Sequence, residues 1–238
     1  MTIKRYKKND DTSYTLGATL SIELLKTHPE CVRRVYFHSK LNSLDIISTI
    51  DSYCDKHKIP VEQNDRVFRV LSQKDNCFVI TIFEKYYTTL SENNRHVVLF
   101  EPSNTGNLGT IMRSMLGFQV KDLVIIRPGS DCFDPKAIRA SMGAMFHLNI
   151  MYFDAFEDYR ALYPNYSLFP FMLDSHAQSL KDIRFPLNSS FIFGNEARGL
   201  PDHFAKIGTP IRIFHGPDID SLNLPIAVSI ALYEGTTF

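Results

Sequence analysis

The chain has 238 residues, 44% of them hydrophobic, and its 26 Lys and Arg balance its 26 Asp and Glu. That length and apolar content can bury a real core, in one large domain or two modest ones. Zero net charge gives no global field to draw in a polyanion, which argues against indiscriminate nucleic-acid binding, and no apolar run approaches the roughly 20 residues that cross a bilayer.

Taken in chain order, the start turns polar at once through Lys4, Arg5, Lys7 and Lys8 instead of entering a signal-peptide apolar stretch, so a cytoplasmic protein is expected. A helix is expected over residues 16–26, then the β-rich segment Val32–Phe37. Leu44, Ile47, Ile50 and Cys54, three or four apart, mark one face of a second helix. A short strand at 59–61, a short helix carrying Val67, Val70 and Leu71, and a buried strand at 77–83 complete a small α/β module. The polar stretch 91–95 then interrupts the pattern, which places a domain boundary near residue 92 and gives domains 1–91 and 92–238.

The second part reads as strand His96–Phe100, a helix from Leu108, strand 123–127, helix 135–146, strand 148–153 and helix 155–162. Strand 168–173, a short helix near Leu180, strand 191–193, helix 201–207, strand 210–214 and a last helix from Leu224 follow. Strands alternating with helices predict a parallel sheet covered on both faces, hence an α/β fold.

The four cysteines form no Cys-x-x-Cys pair and no zinc spacing with the scattered histidines, so free, mostly buried thiols and no metal are expected. Residues 1–90 carry fourteen Lys and Arg against eleven Asp and Glu, a small positive excess in the first module.

Three polar segments, each placed where a strand gives way to a loop, hold the chemistry. His96–Phe100 running into Asn104-Thr-Gly-Asn107-Leu-Gly109 could open a phosphate-binding turn, but the third glycine of a dinucleotide fingerprint and any Walker-type Gly-Lys-Ser/Thr are missing. In the same helix Arg113 sits among apolar neighbours and either snorkels to the surface or points into a polar site. In Gly194-Asn-Glu196-Ala-Arg198-Gly199 two glycines bracket a carboxylate and a guanidinium, which makes either a plain turn or a close backbone approach to a flat ligand. In Ser221-Leu222-Asn223-Leu-Pro225, Asn223 suits a helix N-cap, Pro225 the first turn and Gly235 the far cap, while Ser221 has no such explanation. The helix that follows is apolar nearly all round and must be buried between layers or at a subunit contact.

In order, spacing and residue type the three segments resemble the sequence motifs of the SpoU/TrmH family of RNA ribose methyltransferases, within the SPOUT superfamily: Asn107–Arg113, Gly194–Leu200, and Ile211–Ile213 through Asn223. Residues 140–144 are similar to a further family segment, and the resemblance spans about residues 95–235. It implies a catalytic domain with a C-terminal trefoil knot, which periodicity alone does not show, preceded by a small substrate-binding domain. It further implies a homodimer with the active site at the interface, S-adenosylmethionine as cofactor, and 2′-O-methylation of a ribose in ribosomal or transfer RNA.

By motif, Gly194, Ile213 and Leu222 would hold the cofactor, Arg113 would meet the ribose and its phosphate, and Asn107, Glu196, Ser221 and Asn223 would hydrogen-bond one another, the nucleotide and Arg113. The resemblance leaves the proton acceptor open between Arg113, Glu196 and water, because a guanidinium normally stays protonated. The rival readings are a non-catalytic RNA-binding or ribosome-assembly factor that keeps the fold, and a nucleotide-binding enzyme of ordinary Rossmann type.

Overall fold

A computed structural model of the chain describes residues 3–72 and 75–236. Met1 and Thr2 of the polar opening, and the last two residues of the expected second domain, lie outside the described residues. The elements in the first part are β1 (Thr12–Leu16), α1 (Ala18–Thr27), β2 (Val32–Phe37), α2 (Leu44–His57), β3 (Val61–Gln63), α3 (Asp65–Leu71) and β4 (Val79–Glu84). Then come β5 (His96–Phe100), α4 (Thr105–Gly117), β6 (Asp122–Ile126), α5 (Pro135–Ala140), β7 (Asn149–Phe153), α6 (Phe156–Leu162) and β8 (Ser167–Pro170). The chain closes with β9 (Gln178–Ser179), β10 (Ser189–Phe193), β11 (Ile211–Arg212) and α7 (Leu224–Gly235).

Two compact units form: residues 1–86 with Asp131–His147, and Tyr87–Ser130 with Leu148–Phe238. The segment 131–147, read from sequence as part of the domain 92–238, clusters with the first unit because its contacts are made there. Ser13 donates its hydroxyl to the Phe133 carbonyl at 2.6 Å, and the Phe146 ring meets Phe83 edge-on.

In the first unit the sheet order is β1-β4-β2-β3, with β4 antiparallel to both neighbours and β2 parallel to β3. β4 buries five successive residues, as a central strand should. The strand β1 was not expected; Leu16 ends it, and Gly17 at φ 112° delays α1 to residue 18. The helix expected over 135–146 stops at Ala140, because Met142 and Gly143 take left-handed backbone angles and a 3₁₀ turn follows at Ala144–His147.

The second unit is built on five parallel strands in the order β7-β6-β5-β10-β8. From β5 the chain winds outward through β6 to β7, then returns to the other side of β5 through β8 and β10. The order therefore reverses between β5 and β10, and in an open α/β sheet the crevice beyond the carboxyl ends of such a strand pair is where ligands bind. Val98, Val124, Ile126, Tyr159, Ile192 and Phe204 pack one core of this unit. Residues 201–207 form a 3₁₀ helix only over Asp202–Lys206, and the strand expected at 210–214 shortens to β11, which pairs with β9 in a separate two-stranded ribbon.

Among the described residues no helix is long and apolar enough to cross a membrane, and Cys31, Cys54, Cys77 and Cys132 are free.

Candidate functional site

The loops leaving β5 and β10 meet at the point where the sheet reverses. Asn104 caps α4: its side-chain oxygen accepts from the backbone N–H of Gly106 at 2.8 Å and of Asn107 at 3.0 Å. The backbone N–H groups of Ser103 and Asn104 are left free to turn toward Glu196. One carboxylate oxygen accepts from the Ser103 N–H at 2.9 Å and its hydroxyl at 2.8 Å; the other accepts from the Asn104 N–H at 3.1 Å and the Asn107 side-chain amide at 3.2 Å. Partial burial works against ionisation of Glu196, but the hydrogen bonds from Ser103 and Asn104 outweigh it and hold the carboxyl below its ordinary range.

Glu196 is carried by a closed turn. Asn195 and Gly199 exchange backbone hydrogen bonds at 3.2 and 2.8 Å, and the Asn195 side-chain oxygen accepts from the N–H groups of Ala197 at 3.0 Å and Arg198 at 3.3 Å. Gly199 sits at φ 69°. A Cβ on Gly194 would lie 2.1 Å from the Gly199 carbonyl carbon and 2.2 Å from the Leu200 nitrogen. Glycine at 194 is therefore required by the turn itself, whatever ligand it also serves.

Beside this turn lies a cavity of about 570 Å³. Gly194, Glu196, Ile213, Ser221 and Leu222 all line it, with Phe171 and Phe193 stacked at 4.5 Å in its wall. Five of the eight sequence-predicted site residues thus share one cavity, and Asn107 joins them through Glu196. Arg113 and Asn223 do not line it. Arg113 is exposed on α4, and Asn223 stands at the N-cap position of α7, where its backbone carbonyl accepts from Ile226 and Ala227 but its side chain makes no capping bond. Within the single chain, the network expected among Asn107, Glu196, Ser221, Asn223 and Arg113 is present in its Asn107–Glu196 arm.

Ser103, Asn104, Asn195 and Glu101 were not singled out from sequence. Asn104 is an N-cap residue type, but the sequence pattern starts the helix at Leu108, whereas α4 begins at Thr105, directly after Asn104. The other three bond partners far along the chain that only the assembled sheet brings near: Ser103 the Glu196 carboxylate, and Asn195 the Glu101 carbonyl. No group of three or more His, Cys, Asp or Glu that could hold a metal ion occurs among the described residues.

Residues 94–233 match the model of the SpoU rRNA Methylase family. The chain is 31% identical over 127 residues to the ribosomal RNA small subunit methyltransferase G 2 of Syntrophobacter fumaroxidans, a match covering 53% of this chain and only 24% of that protein. It is 30% identical over 155 residues to a tRNA (cytidine(34)-2′-O)-methyltransferase of Acidovorax sp. strain JS42, covering 58% of this chain and 88% of that protein. An AdoMet-bound rRNA methyltransferase from Sinorhizobium meliloti shares the fold at TM-score 0.81 and 23% identity, over 94% of this chain and 86% of that one. The family match takes in both strand-end loops and the residues that line the cavity, and the chain belongs to the SpoU rRNA methylase family.

Proposed function

We propose that the protein transfers a methyl group from S-adenosylmethionine to a ribose 2′-hydroxyl of structured RNA, ribosomal or transfer. The observation that carries this reading is the Asn107–Glu196 link at the sheet's reversal point, beside a ligand-sized cavity, in a chain of this family. The residues present fit the cofactor. A cavity of about 570 Å³ falls in the range that takes such a ligand. Its apolar lining, Phe171, Phe193, Ile213 and Leu222, suits a purine, and Asp174 and Asp220 in the same lining suit a cationic group.

When bound, S-adenosylmethionine supplies an electrophilic methyl on a positively charged sulfur. The chain's own task is to place and activate the hydroxyl. In this reading Gly194, Ile213 and Leu222 hold the cofactor. Arg113, exposed on α4, takes the RNA phosphate beside the target ribose. Glu196 has four donors on its two oxygens and is held ionised, so it anchors the turn to α4 and leaves the proton to another acceptor. Asn107, Ser221 and Asn223 orient the nucleotide.

The reading includes a homodimer whose active site lies at the interface. Ile226, Ile230 and Tyr233 recur at helical spacing on α7, with Ile226 51% and Tyr233 65% exposed, an apolar stripe on a helix packed against α4. A partner seated there would lie next to α4, the helix that carries Arg113. The reading also includes a C-terminal trefoil knot, a first domain that contacts RNA, supported by its small positive excess, and a cytoplasmic setting. Calorimetric binding of S-adenosylmethionine together with RNA-dependent transfer of labelled methyl tests the reaction. Binding of NAD in its place would favour an ordinary nucleotide enzyme, and RNA binding without cofactor binding a non-catalytic factor.

A further inference from the structure

The turn that carries Glu196 is fastened to the sheet by the residue just before it. Asn195 is only 9% exposed, and every polar atom of its side chain is used inside the protein. Its side-chain oxygen closes the turn on the N–H groups of Ala197 and Arg198, while its side-chain nitrogen donates to the backbone carbonyl of Glu101 at 2.7 Å. Glu101 follows the last residue of β5 and takes a left-handed backbone angle, φ 53°, which a glutamate seldom adopts. Its own N–H is tied to the Ile126 carbonyl at the end of β6, at 3.0 Å. The carbonyl that Asn195 grips is thereby held at the carboxyl edge of the two strands.

A second tie runs from Arg198 to the Glu101 carboxylate at 2.6 Å, but the Arg198 side chain is 71% exposed and such a pair contributes little. The buried amide-to-carbonyl bond is the stronger of the two. Two residues beyond Glu101, Ser103 presents its N–H and hydroxyl to Glu196. A single short loop therefore holds the turn at Asn195 and receives its carboxylate at Glu196.

We propose that Asn195 is a positioning residue: its side-chain amide splices the Glu196 turn to the end of β5 and so seats the Glu196 carboxylate on the amino end of α4. It acts through Glu196 and Asn107 and governs turnover more than cofactor affinity. The consequence for turnover rests on the proposed methyl-transfer reading; the seating of Glu196 does not.

Asn195→Asp tests this nearly atom for atom, since it keeps the oxygen that closes the turn and replaces the donor to Glu101 by an acceptor. Asn195→Ala removes both and serves as the second variant. Amide hydrogen exchange read by mass spectrometry or NMR follows the Ser103 and Asn104 N–H groups without any cofactor. Both variants should speed exchange there about tenfold or more, with β6 and β7 unchanged. In Asn195→Asp, which keeps the turn closed, turnover should fall at least tenfold while the Kd for S-adenosylmethionine moves less than threefold. Wild-type exchange at Ser103 and Asn104 in Asn195→Asp would overturn the proposal, as would a loss of cofactor affinity matching the loss of turnover. Faster exchange in a protein whose wild type transfers no methyl would uphold the seating of Glu196 and reject the reaction instead.

Discussion

The side-chain amide of Asn107 donates to Glu196 at 3.2 Å across 89 residues of sequence, so the first turn of α4 and the loop after β10 share one carboxylate. The bond ties the two loops together at the β5–β10 reversal, beside the cavity that Glu196 lines.

Removing the charge should therefore be felt in stability and in activity together. Glu196→Gln offers an amide nitrogen to donors that need an acceptor, and a cost of about 1–2 kcal/mol follows, kept modest because the group is only partly buried. Chemical unfolding should show that loss, and labelled-methyl transfer to RNA should fall at least about tenfold. An unchanged midpoint with full activity would remove Glu196 from the site.

Gly194→Ala places a methyl group against backbone atoms 2.1–2.4 Å away, atoms that cannot swing aside as a side chain can. The turn has to open, at about 1–3 kcal/mol. Calorimetry should record at least tenfold weaker binding of S-adenosylmethionine, because the opened turn is a wall of the cavity. A wild-type affinity would mean that the turn tolerates the methyl group and that its closure is not needed.

Arg113→Ala should behave in the opposite way. The side chain is exposed, and its loss should leave the unfolding midpoint within about 0.5 kcal/mol of wild type. RNA-dependent methyl transfer should nonetheless drop about a hundredfold or more. Equal activity in the two proteins would return Arg113 to the ordinary surface.

Much of this arrangement was legible in the sequence, and the parts that were not have physical causes. Strand β5 and helix α2 carry their own periodicity and fall where it puts them. Strand β1 was missed because Thr12–Leu16 pairs only with β4, far along the chain, and has little local apolar alternation. Residues 131–147 were read as continuing the second domain because nothing local says that Phe133 and Phe146 will pack against Phe83. At the site, the resemblance to the family's motifs pointed to Glu196 and Asn107. Asn195 escaped notice because its partners are backbone groups, which a sequence shows everywhere alike, and Ser103 because its partner, the Glu196 carboxylate, lies 93 residues away. Gly194 was noticed for a ligand's sake, whereas its immediate neighbour is Gly199.

The core of the second unit also sets a pH dependence. His96 is fully buried, with Nε2 against the Ser91 carbonyl at 2.9 Å and Nδ1 against the Tyr159 hydroxyl at 3.0 Å. A carbonyl can only accept, so Nε2 carries the proton and Tyr159 donates to Nδ1. Burial pushes the imidazole below its ordinary 6.5, against the opposing pull of the Ser91 carbonyl and Asp122. The unfolded chain thus takes up a proton that the folded one refuses, so stability is full above pH 6.5 and falls as pH drops below it. Glu196 adds a further loss as pH falls below 4.5 and toward its depressed folded value. Urea unfolding at pH 7 and pH 5.5 should show the wild type weaker at the lower pH. His96→Phe should be about 1–3 kcal/mol less stable at pH 7 but flatter between the two. A wild-type slope retained in that variant would place the titrating group elsewhere.

The reaction itself is tested most directly by mapping ribose-methylated nucleosides in total RNA from cells with and without the gene, and from cells carrying Asn107→Ala in its place. The account predicts one 2′-O-methyl nucleoside, at one position of a ribosomal or transfer RNA, present with the wild-type gene and lost in the other two. A complete and identical set of ribose methyls in all three would contradict it.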